Sequence, residues 1–389
     1  MFARLAAAGR RVHHAARSSG RTTLDVVREI VSLRLGPGRL TFGEYFDYGL
    51  ERSTHSWQAK REFVGYLGQR VIEDIVTDDY SKIVSLDKLS FDAVMRGRGL
   101  PVPALLGVYD PSGTRRIPGA ALVSDAASLR AFFRQIADAP AYFKPALGGF
   151  GRGNHCVESY DQTTDEVQFA GGDRLALTEF AGRLDKAALL GVMIQEVLRP
   201  HPAIQSCCGS RLSGLRIHTL LRKSGPQVFR CIWKVATGHN VIDNFDGGRT
   251  GNMVGAVDVQ TGRVFRVVSG YQSRGTRHPD TGVELNGFLL PDWSEIVDVV
   301  RQASSQFPGL LAQGWDVAIT PRGPVLMEVN WLGGVDIPQI SYDRGFLDSE
   351  FREFLAERNL ESLLRGRASE NDVNAKTERR GRRKLHWPY

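Results

Sequence analysis

Three oxygen-bearing side chains occur close together in the sequence, within residues 314–330. Asp316 is in the first of two strand-like stretches, and Glu328 and Asn330 are in the second. Because side chains alternate along a strand, Glu328 and Asn330 would share one face. Facing carboxylates repel each other, but Mg²⁺ between them would bind both, together with phosphate oxygens and waters. The residues therefore indicate a metal site, and an ordinary exposed hairpin is the alternative interpretation.

The spacing of these two stretches also predicts their register. A turn at residues 321–323 would pair Thr320 with Pro324 and place Asp316 directly opposite Glu328. The hypothesis is therefore specific, since it requires one tight turn and two carboxylates on the same face of a hairpin.

A second chemical signal lies upstream, where Lys144 ends a strand-like stretch and a glycine-rich loop follows. The loop contains Gly148, Gly149, Gly151 and Gly153. Glycine allows a backbone to fold closely over phosphate oxygens and to present its N–H groups, and a nearby lysine adds a point charge. The spacing is not that of a Walker loop or a Rossmann fingerprint. The loop alone is a modest signal for phosphate binding, and the hairpin strengthens it.

The elements that must position these residues fall into four segments. Residues 1–85 read as a helical N-terminal extension. Residues 86–198 alternate between helix and strand, with a helix capped by Asp87 and strands over 175–180 and 192–198. Residues 199–364 read mainly as long strands, and residues 365–389 read as a disordered basic tail.

Composition is that of a globular protein with two or three subdomains, since 42% of the 389 residues are hydrophobic and 24% are charged. The formal charge of +7 comes from the two ends, because residues 1–22 hold five Arg and residues 365–389 hold eight Lys/Arg against three Asp/Glu. Nucleic-acid enzymes usually carry their basic surface on the folded domain. We therefore expect no nucleic-acid partner.

The N-terminal helices are basic and amphipathic, so weak association with a membrane surface is an alternative to packing on the protein's own core. No apolar run approaches the ~20 residues that span a bilayer. The four cysteines lack the paired spacing of a zinc site or a redox dithiol. These observations favour a cytoplasmic protein, with peripheral contact to the inner face of the membrane as the alternative.

Read in order, the motifs resemble the ATP-grasp superfamily over about residues 85–345. They are Asp87-Lys88, Lys144 with its glycine loop, Gln195-Glu196-Val197-Leu198, Arg216, and the trio Asp316, Glu328 and Asn330. The segments 45–50, 243–248 and 278–282 are most similar to the sugar-transfer-associated ATP-grasp family. The resemblance implies an α+β fold in which two subdomains grip ATP between antiparallel sheets.

The resemblance also implies roles for single residues. Lys88 and Lys144 would contact the ATP phosphates under a lid formed by the glycine loop. Glu196 and the backbone through Leu198 would recognise adenine. Arg216 and Lys144 would serve the transferring phosphoryl group, and Asp316, Glu328 and Asn330 would hold one or two Mg²⁺ ions.

The substrate pocket is harder to read. Lys234, Arg249 and Asn252 lie in or beside loops between the ATP-grasp motifs. Arg249 could pair bidentately with a carboxylate, although a solvated loop arginine and a surface Lys234 are equally compatible with the sequence.

The leading hypothesis is an ATP- and Mg²⁺-dependent ligase. It would join a small-molecule carboxylate to an amine or a sugar-linked nucleophile through an acyl phosphate, in the synthesis of surface polysaccharide or glycoconjugate. A small-molecule or sugar kinase on the same fold is one rival. A non-catalytic nucleotide-binding scaffold tethered by its basic ends is the other.

Overall fold

The structure is a computed structural model that describes residues 2–52, 54–137, 139–148, 153–188, 190–238, 240, 243–271 and 273–364, with side chains from Ala6 onward. The predicted tail, 365–389, and the lid glycines Gly149 and Gly151 lie outside the described residues.

Six helices cover the N-terminal region: α1 (Phe2–Ser18), α2 (Thr23–Leu35), α3 (Phe42–Asp47), α4 (Trp57–Lys60), α5 (Tyr66–Val76) and α6 (Asp79–Leu86). The remaining helices are α7 (Lys88–Gly97), α8 (Ala126–Gln135), α9 (Leu177–Ala187), α10 (Pro202–Cys208), α11 (Trp293–Ser304), α12 (Asp336–Tyr342), α13 (Ser349–Glu357) and α14 (Glu361–Leu364), with a 3-10 turn at Asp246–Gly248. The strands are β1 (Leu105–Tyr109), β2 (Ala121–Val123), β3 (Ala141–Pro145), β4 (His155–Asp161), β5 (Glu166–Phe169), β6 (Arg174–Ala176), β7 (Val192–Glu196), β8 (Leu215–Arg222), β9 (Gly225–Val235), β10 (Met253–Val257), β11 (Val264–Val268), β12 (Ala312–Thr320) and β13 (Gly323–Trp331).

The strands form two sheets. The first has the order β2-β1-β7-β3-β4-β5-β6, and the second has the order β11-β10-β9-β8-β12-β13. Every pairing between these strands is antiparallel except that of β1 with β2. The predicted α+β class is confirmed.

Alternation along the strands of the second sheet separates its two faces. On β9, Cys231 and Trp233 belong to the apolar cluster that also contains Ile296 and Val300 of α11, whereas Ile232 belongs to a different cluster. Ile232 packs with residues of the N-terminal helices, such as Val26 and Tyr45. The N-terminal helices therefore share a hydrophobic core with the second sheet, on the side opposite α11.

The predicted helical character of residues 1–85 is confirmed, and its cause is visible at the helix starts. Thr22 and Asp25 form a capping box at α2, and Thr41 and Glu44 form another at α3. Asp87 caps α7 through the backbone N–H of Leu89, as the sequence predicts.

One predicted strand is wrong. Residues 175–180 were expected to be extended, but only a short strand, β6, ends at Ala176 and α9 begins at Leu177. The buried residues Leu177, Phe180, Ala181 and Leu184 recur at helical spacing, so they form the inward face of α9. This helical spacing continues to Leu184, beyond the end of the predicted strand, and therefore favours a helix over an extended strand.

Candidate active site

The hairpin of β12 and β13 places Asp316 directly opposite Glu328, as the sequence predicts. The turn is shorter than predicted, because Thr320 pairs with Gly323 and not with Pro324. Gly323 closes it with a φ of 95°, a conformation that glycine adopts without strain. A β-bulge between Asp316 and Val317 on the ladder then absorbs the one-residue difference and restores the carboxylate pair.

The strand β8 brings an arginine to the same place. Arg216 pairs in register with Asp316 of β12. Its guanidinium donates two hydrogen bonds to the Asp316 carboxylate, from Nε to Oδ1 at 2.6 Å and from Nη2 to Oδ2 at 3.0 Å. The remaining guanidinium nitrogen, Nη1, donates a hydrogen bond to the carbonyl oxygen of Gly333. This bidentate geometry holds the arginine rigidly beside the hairpin.

A buried lysine and a second aspartate extend the cluster. The Nζ of Lys234 lies 3.1 Å from Asp243 Oδ1 and 3.5 Å from Asp316 Oδ1. The other oxygen of Asp243 accepts a hydrogen bond from the backbone N–H of Gly214, at 3.0 Å. The sequence predicted Lys234 as a substrate contact, with a surface charge as the alternative, and the structure places it within the charge network of Arg216 and Asp316.

The first sheet contributes Lys144. Ala141 and Phe143 of β3 belong to the apolar cluster of that sheet, so Tyr142 and Lys144 lie on its opposite face. The Nζ of Lys144 is 3.5 Å from Glu328 Oε2 and donates to the carbonyl of Met327 at 3.3 Å. Met327 is the residue passed over where the β12–β13 register shifts. The bulge therefore supplies the carbonyl that Lys144 contacts.

Lys88 lies at the start of α7, beside the glycine loop. Its backbone N–H donates to Ala146 O at 3.0 Å, and its Nζ donates to the carbonyl of Gly148. Burial, reinforced by the positive charge of Lys144 and only partly offset by Glu328, lowers the pKa of Lys88 to about 8. Lys144 and Glu328 thus both act electrostatically on Lys88.

The buried charges have strongly shifted pKa values. Burial alone would raise the pKa of Asp316, but the positive charges of Arg216 and Lys234 outweigh it and hold that pKa well below its usual range. Burial would likewise lower the pKa of Lys234, but Asp243 and Asp316 raise it above its usual value. Asp316 and Lys234 therefore both stay ionised at neutral pH.

The side-chain oxygens of Glu328, Asn330 and Asp316 suit a hard divalent cation that is also bound by water and substrate oxygens. Asn330 lies beside Glu328, with Nδ2 at 3.3 Å from Oε1, so the two share a face of β13. Among the described residues no group of three or more His, Cys, Asp or Glu could hold a metal ion. Glu328, Asn330 and the partly engaged Asp316 would leave about half of an octahedron to water and substrate oxygens, and Mg²⁺ in proteins usually keeps several such ligands.

Glu196, at the end of β7, joins the two sheets. It accepts a hydrogen bond from the backbone N–H of Ala104 at 2.6 Å, and its carboxylate also pairs with both terminal nitrogens of Arg322 in the hairpin turn. Its side chain is thereby engaged by Ala104 and Arg322, and the half-buried Leu198 follows it in the chain. The predicted contact of this segment with adenine would use the backbone and Leu198.

Two predicted substrate residues lie in different surroundings. Asn252 is fully buried; its Oδ1 accepts from the backbone N–H of Thr237 at 2.9 Å, and its Nδ2 donates to Asn244 O at 2.8 Å. These contacts anchor Asn252 within its loop, and its predicted substrate contact stays a prediction. Arg249 has a side chain that is 77% exposed and forms an ion pair with Asp246.

Sequence reasoning missed two groups that face the cluster. Asp243 was noted only as part of a family-like segment, and nothing local indicates that it pairs with Lys234. Tyr142 shares the face of Lys144, and its hydroxyl accepts a hydrogen bond from Asn154 Nδ2 at 3.0 Å. The alternation around Lys144 was the one signal that could have found Tyr142.

The protein has two sheets, and charged side chains from both meet between them. This is the fold class of the ATP-grasp proteins. The chain belongs to the sugar-transfer-associated ATP-grasp family, whose model matches residues 73–352. None of the curated proteins compared with the chain matches it.

Several solved structures are similar to the chain at low identity. The ATP-grasp ligase PsnB, in complex with a minimal precursor, is 15% identical with a TM-score of 0.39, over 72% of this chain and 64% of its own. The D-alanine-D-alanine ligase from Coxiella burnetii is 10% identical with a TM-score of 0.39, over 78% and 64%. The D-alanyl-alanine synthetase A from Vibrio cholerae is 12% identical with a TM-score of 0.42, over 78% and 75%. The chain thus spans under two thirds of the first two.

Proposed function

We propose that the protein is an ATP- and Mg²⁺-dependent ligase that joins a carboxylate to an amine, or to another nucleophile, through an acyl phosphate. We further propose that its product belongs to surface polysaccharide or glycoconjugate synthesis, which the family's association with sugar transfer supports. The observation that carries the proposal is the meeting of Lys144 from the first sheet with Glu328 from the second, at 3.5 Å.

The lysines suit the phosphates of ATP. Lys88 and Lys144 are both buried, at 8% and 9% exposure, and each donates to a backbone carbonyl that a phosphate oxygen could replace. Gly148, with a φ of 143°, and Gly153, with a φ of 73°, flank the loop on its two described sides. In this proposal the loop covers the phosphates, and the segment from Glu196 to Leu198 receives adenine.

The chemistry follows from charge neutralisation. An oxygen of the substrate carboxylate attacks the terminal phosphorus of ATP, the bond to ADP breaks, and an acyl phosphate forms. The nucleophile then attacks the acyl carbon, releases phosphate and loses a proton to water. Phosphoryl transfer requires alignment and positive charge more than covalent help from the protein. Arg216, fixed by Asp316, and Lys144 would supply that charge.

Glu328, Asn330 and Asp316 would hold Mg²⁺, which supplies Lewis-acid polarisation of the phosphate oxygens when it is bound. Because Asp316 also pairs with Arg216 and Lys234, we expect Glu328 to be the principal carboxylate ligand. Asp316 would then fix the arginine at least as much as it binds metal.

Hydroxylamine trapping tests the proposal. A panel of carboxylates is incubated with the protein, MgATP and hydroxylamine, while ADP and hydroxamate are measured, with Glu328→Gln as the inactive control. We expect ADP release that depends on one class of carboxylate and yields its hydroxamate. A phosphorylated alcohol without trappable acyl phosphate would identify a kinase, and MgATP binding without any turnover would favour the nucleotide-binding scaffold.

A further inference from the structure

An apolar stripe runs along the outer face of α2, far in sequence from the charged cluster. Leu24, Val27, Val31 and Leu35 are 55%, 41%, 50% and 82% exposed. With about 100° per residue, these four positions lie within about 80° of one another around the helix. The opposite face, with Val26 and Leu33, is buried in the shared core. We name Leu24, Val27, Val31 and Leu35 the α2 stripe.

The α2 stripe is bordered by positive charge. Arg28 and Arg34 are exposed on its two sides. At its C-terminal end, Leu35 lines a groove of about 1460 Å³, whose walls carry five arginines against two glutamates. The groove also contains Trp57, 46% exposed, and Leu67, 38% exposed. An apolar row edged by arginines and continued by a tryptophan has the composition of surfaces that lie in the headgroup region of a bilayer.

We propose that the α2 stripe and the adjoining arginine-lined groove bind the surface of an anionic phospholipid bilayer. The apolar side chains would enter the headgroup–acyl boundary, while Arg28, Arg34 and Arg61 would contact lipid phosphates. This proposal is independent of the proposed ligase activity. It assigns the membrane contact considered for the N-terminal helices to the outer face of α2, since Val12 of α1 is buried at 6% exposure while that face is open.

Charge decides between the bilayer and two other occupants. In a two-fold dimer the same patch of each copy faces the other. A second copy bound through this face would therefore place its Arg28 and Arg34 close to the Arg28 and Arg34 of the first, where the like charges repel. The C-terminal residues 365–389 hold eight Lys/Arg against three Asp/Glu, so they would meet an arginine-rich groove with the same sign of charge. An anionic lipid surface is complementary to both the apolar row and its charged borders.

Co-sedimentation with vesicles tests this assignment on the full chain. Phosphatidylcholine vesicles are compared with vesicles that also contain phosphatidylglycerol, at low and at physiological salt. We expect binding to the anionic vesicles that weakens with salt. Leu24→Ser/Val31→Ser/Leu35→Ser should reduce the partition coefficient at least about tenfold. Arg28→Gln/Arg34→Gln should reduce it about fivefold per arginine.

The matched control is Phe265→Ser/Leu289→Ser, which removes two exposed apolar side chains, 44% and 52% exposed, outside the stripe. It should bind like the unchanged protein, and thermal unfolding confirms that each variant is folded. Failure of the unchanged protein to sediment with anionic vesicles would overturn the proposal, as would undiminished binding of the triple variant. A dimer seen by light scattering and dissolved by the triple variant would assign the stripe to self-association and also overturn it.

Discussion

Glu328 is the carboxylate of the cluster that remains accessible to a ligand. Its side chain is 29% exposed, whereas that of Asp316 is 10% exposed and engaged by Arg216 and Lys234. The two opposed carboxylates therefore have different surroundings, and a substitution at Glu328 tests metal binding without breaking the buried ion pair.

Glu328→Gln should lower kcat at least about 100-fold, because the amide keeps the shape but loses the charge that holds the cation. The melting temperature should stay close to that of the unchanged protein, since Glu328 adds little to core packing. Steady-state ADP release checks the first expectation and calorimetry the second. Glu284→Gln, a change at another partly exposed glutamate, is the control. Wild-type turnover in Glu328→Gln would make the hairpin structural.

Lys88 should make nucleotide binding dependent on pH. Its pKa of about 8, lowered by burial and by Lys144, means that it loses its charge as pH rises through that value. Bound phosphates favour the protonated form, so ATP should bind up to about tenfold more weakly near pH 9 than near pH 7, and binding near pH 8 should take up a proton.

Titration calorimetry in buffers of different ionisation enthalpy measures that proton. Lys88→Arg is the control, because a guanidinium keeps its charge throughout this range and should remove the dependence. Equal proton uptake in the two proteins would show that Lys88 is not the titrating group.

The close approach of β12 to the turn after β13 positions Arg216. A Cβ added to Gly314 would lie 2.4 Å from the Cα of Gly333, whose carbonyl accepts from Arg216. Gly314→Ala should therefore displace this turn, destabilise the fold by about 1–3 kcal/mol and lower kcat. Urea unfolding and ADP release provide the two readouts.

The matched control is Gly182→Ala in α9, where an added Cβ meets no heavy atom within 4 Å. Alanine should stabilise that helix by about 0.5–1 kcal/mol and leave kcat unchanged. If the two alanine variants had the same effect on kcat, the Gly314–Gly333 contact would have no role in positioning Arg216.

The sequence predicts the facing carboxylates of the β12–β13 hairpin, but it predicts the geometry of the hairpin only in part. Local alternation places Asp316 opposite Glu328, but the position of the turn depends on Gly323 and on a bulge that no local rule predicts. The pairing of Arg216 with Asp316 joins β8 to β12 across 100 residues of sequence. Such a non-local pair has no signature within either strand.

The N-terminal helices cannot be treated as a removable extension. Val12 of α1 packs in the cluster that contains Ile232, Val254 and Val268 of the second sheet. The sequence predicts the helices from their caps and apolar spacing, but it does not reveal which surface they cover, because any apolar face of sufficient size would bury them equally well.

No helix of the described chain is both long enough and apolar enough to cross a membrane.

Val12→Asp should lower the free energy of unfolding by about 2–4 kcal/mol, because it places an unpaired charge in the core shared with the second sheet. His13→Asp, at the exposed neighbouring position, should change it by less than about 0.5 kcal/mol. Urea titration followed by tryptophan fluorescence compares the two. A small effect of both substitutions would separate the helices from the core of the sheet.

In the proposed function, groups from both sheets converge on one nucleotide. Calorimetric titration of a non-hydrolysable ATP analogue with Mg²⁺ into the unchanged protein, Lys144→Ala, Glu328→Gln and the double variant measures this directly. We expect each single change to weaken binding at least about tenfold, and the double variant to depart from the sum of the two by at least about 0.5 kcal/mol. Four equal dissociation constants would contradict the account.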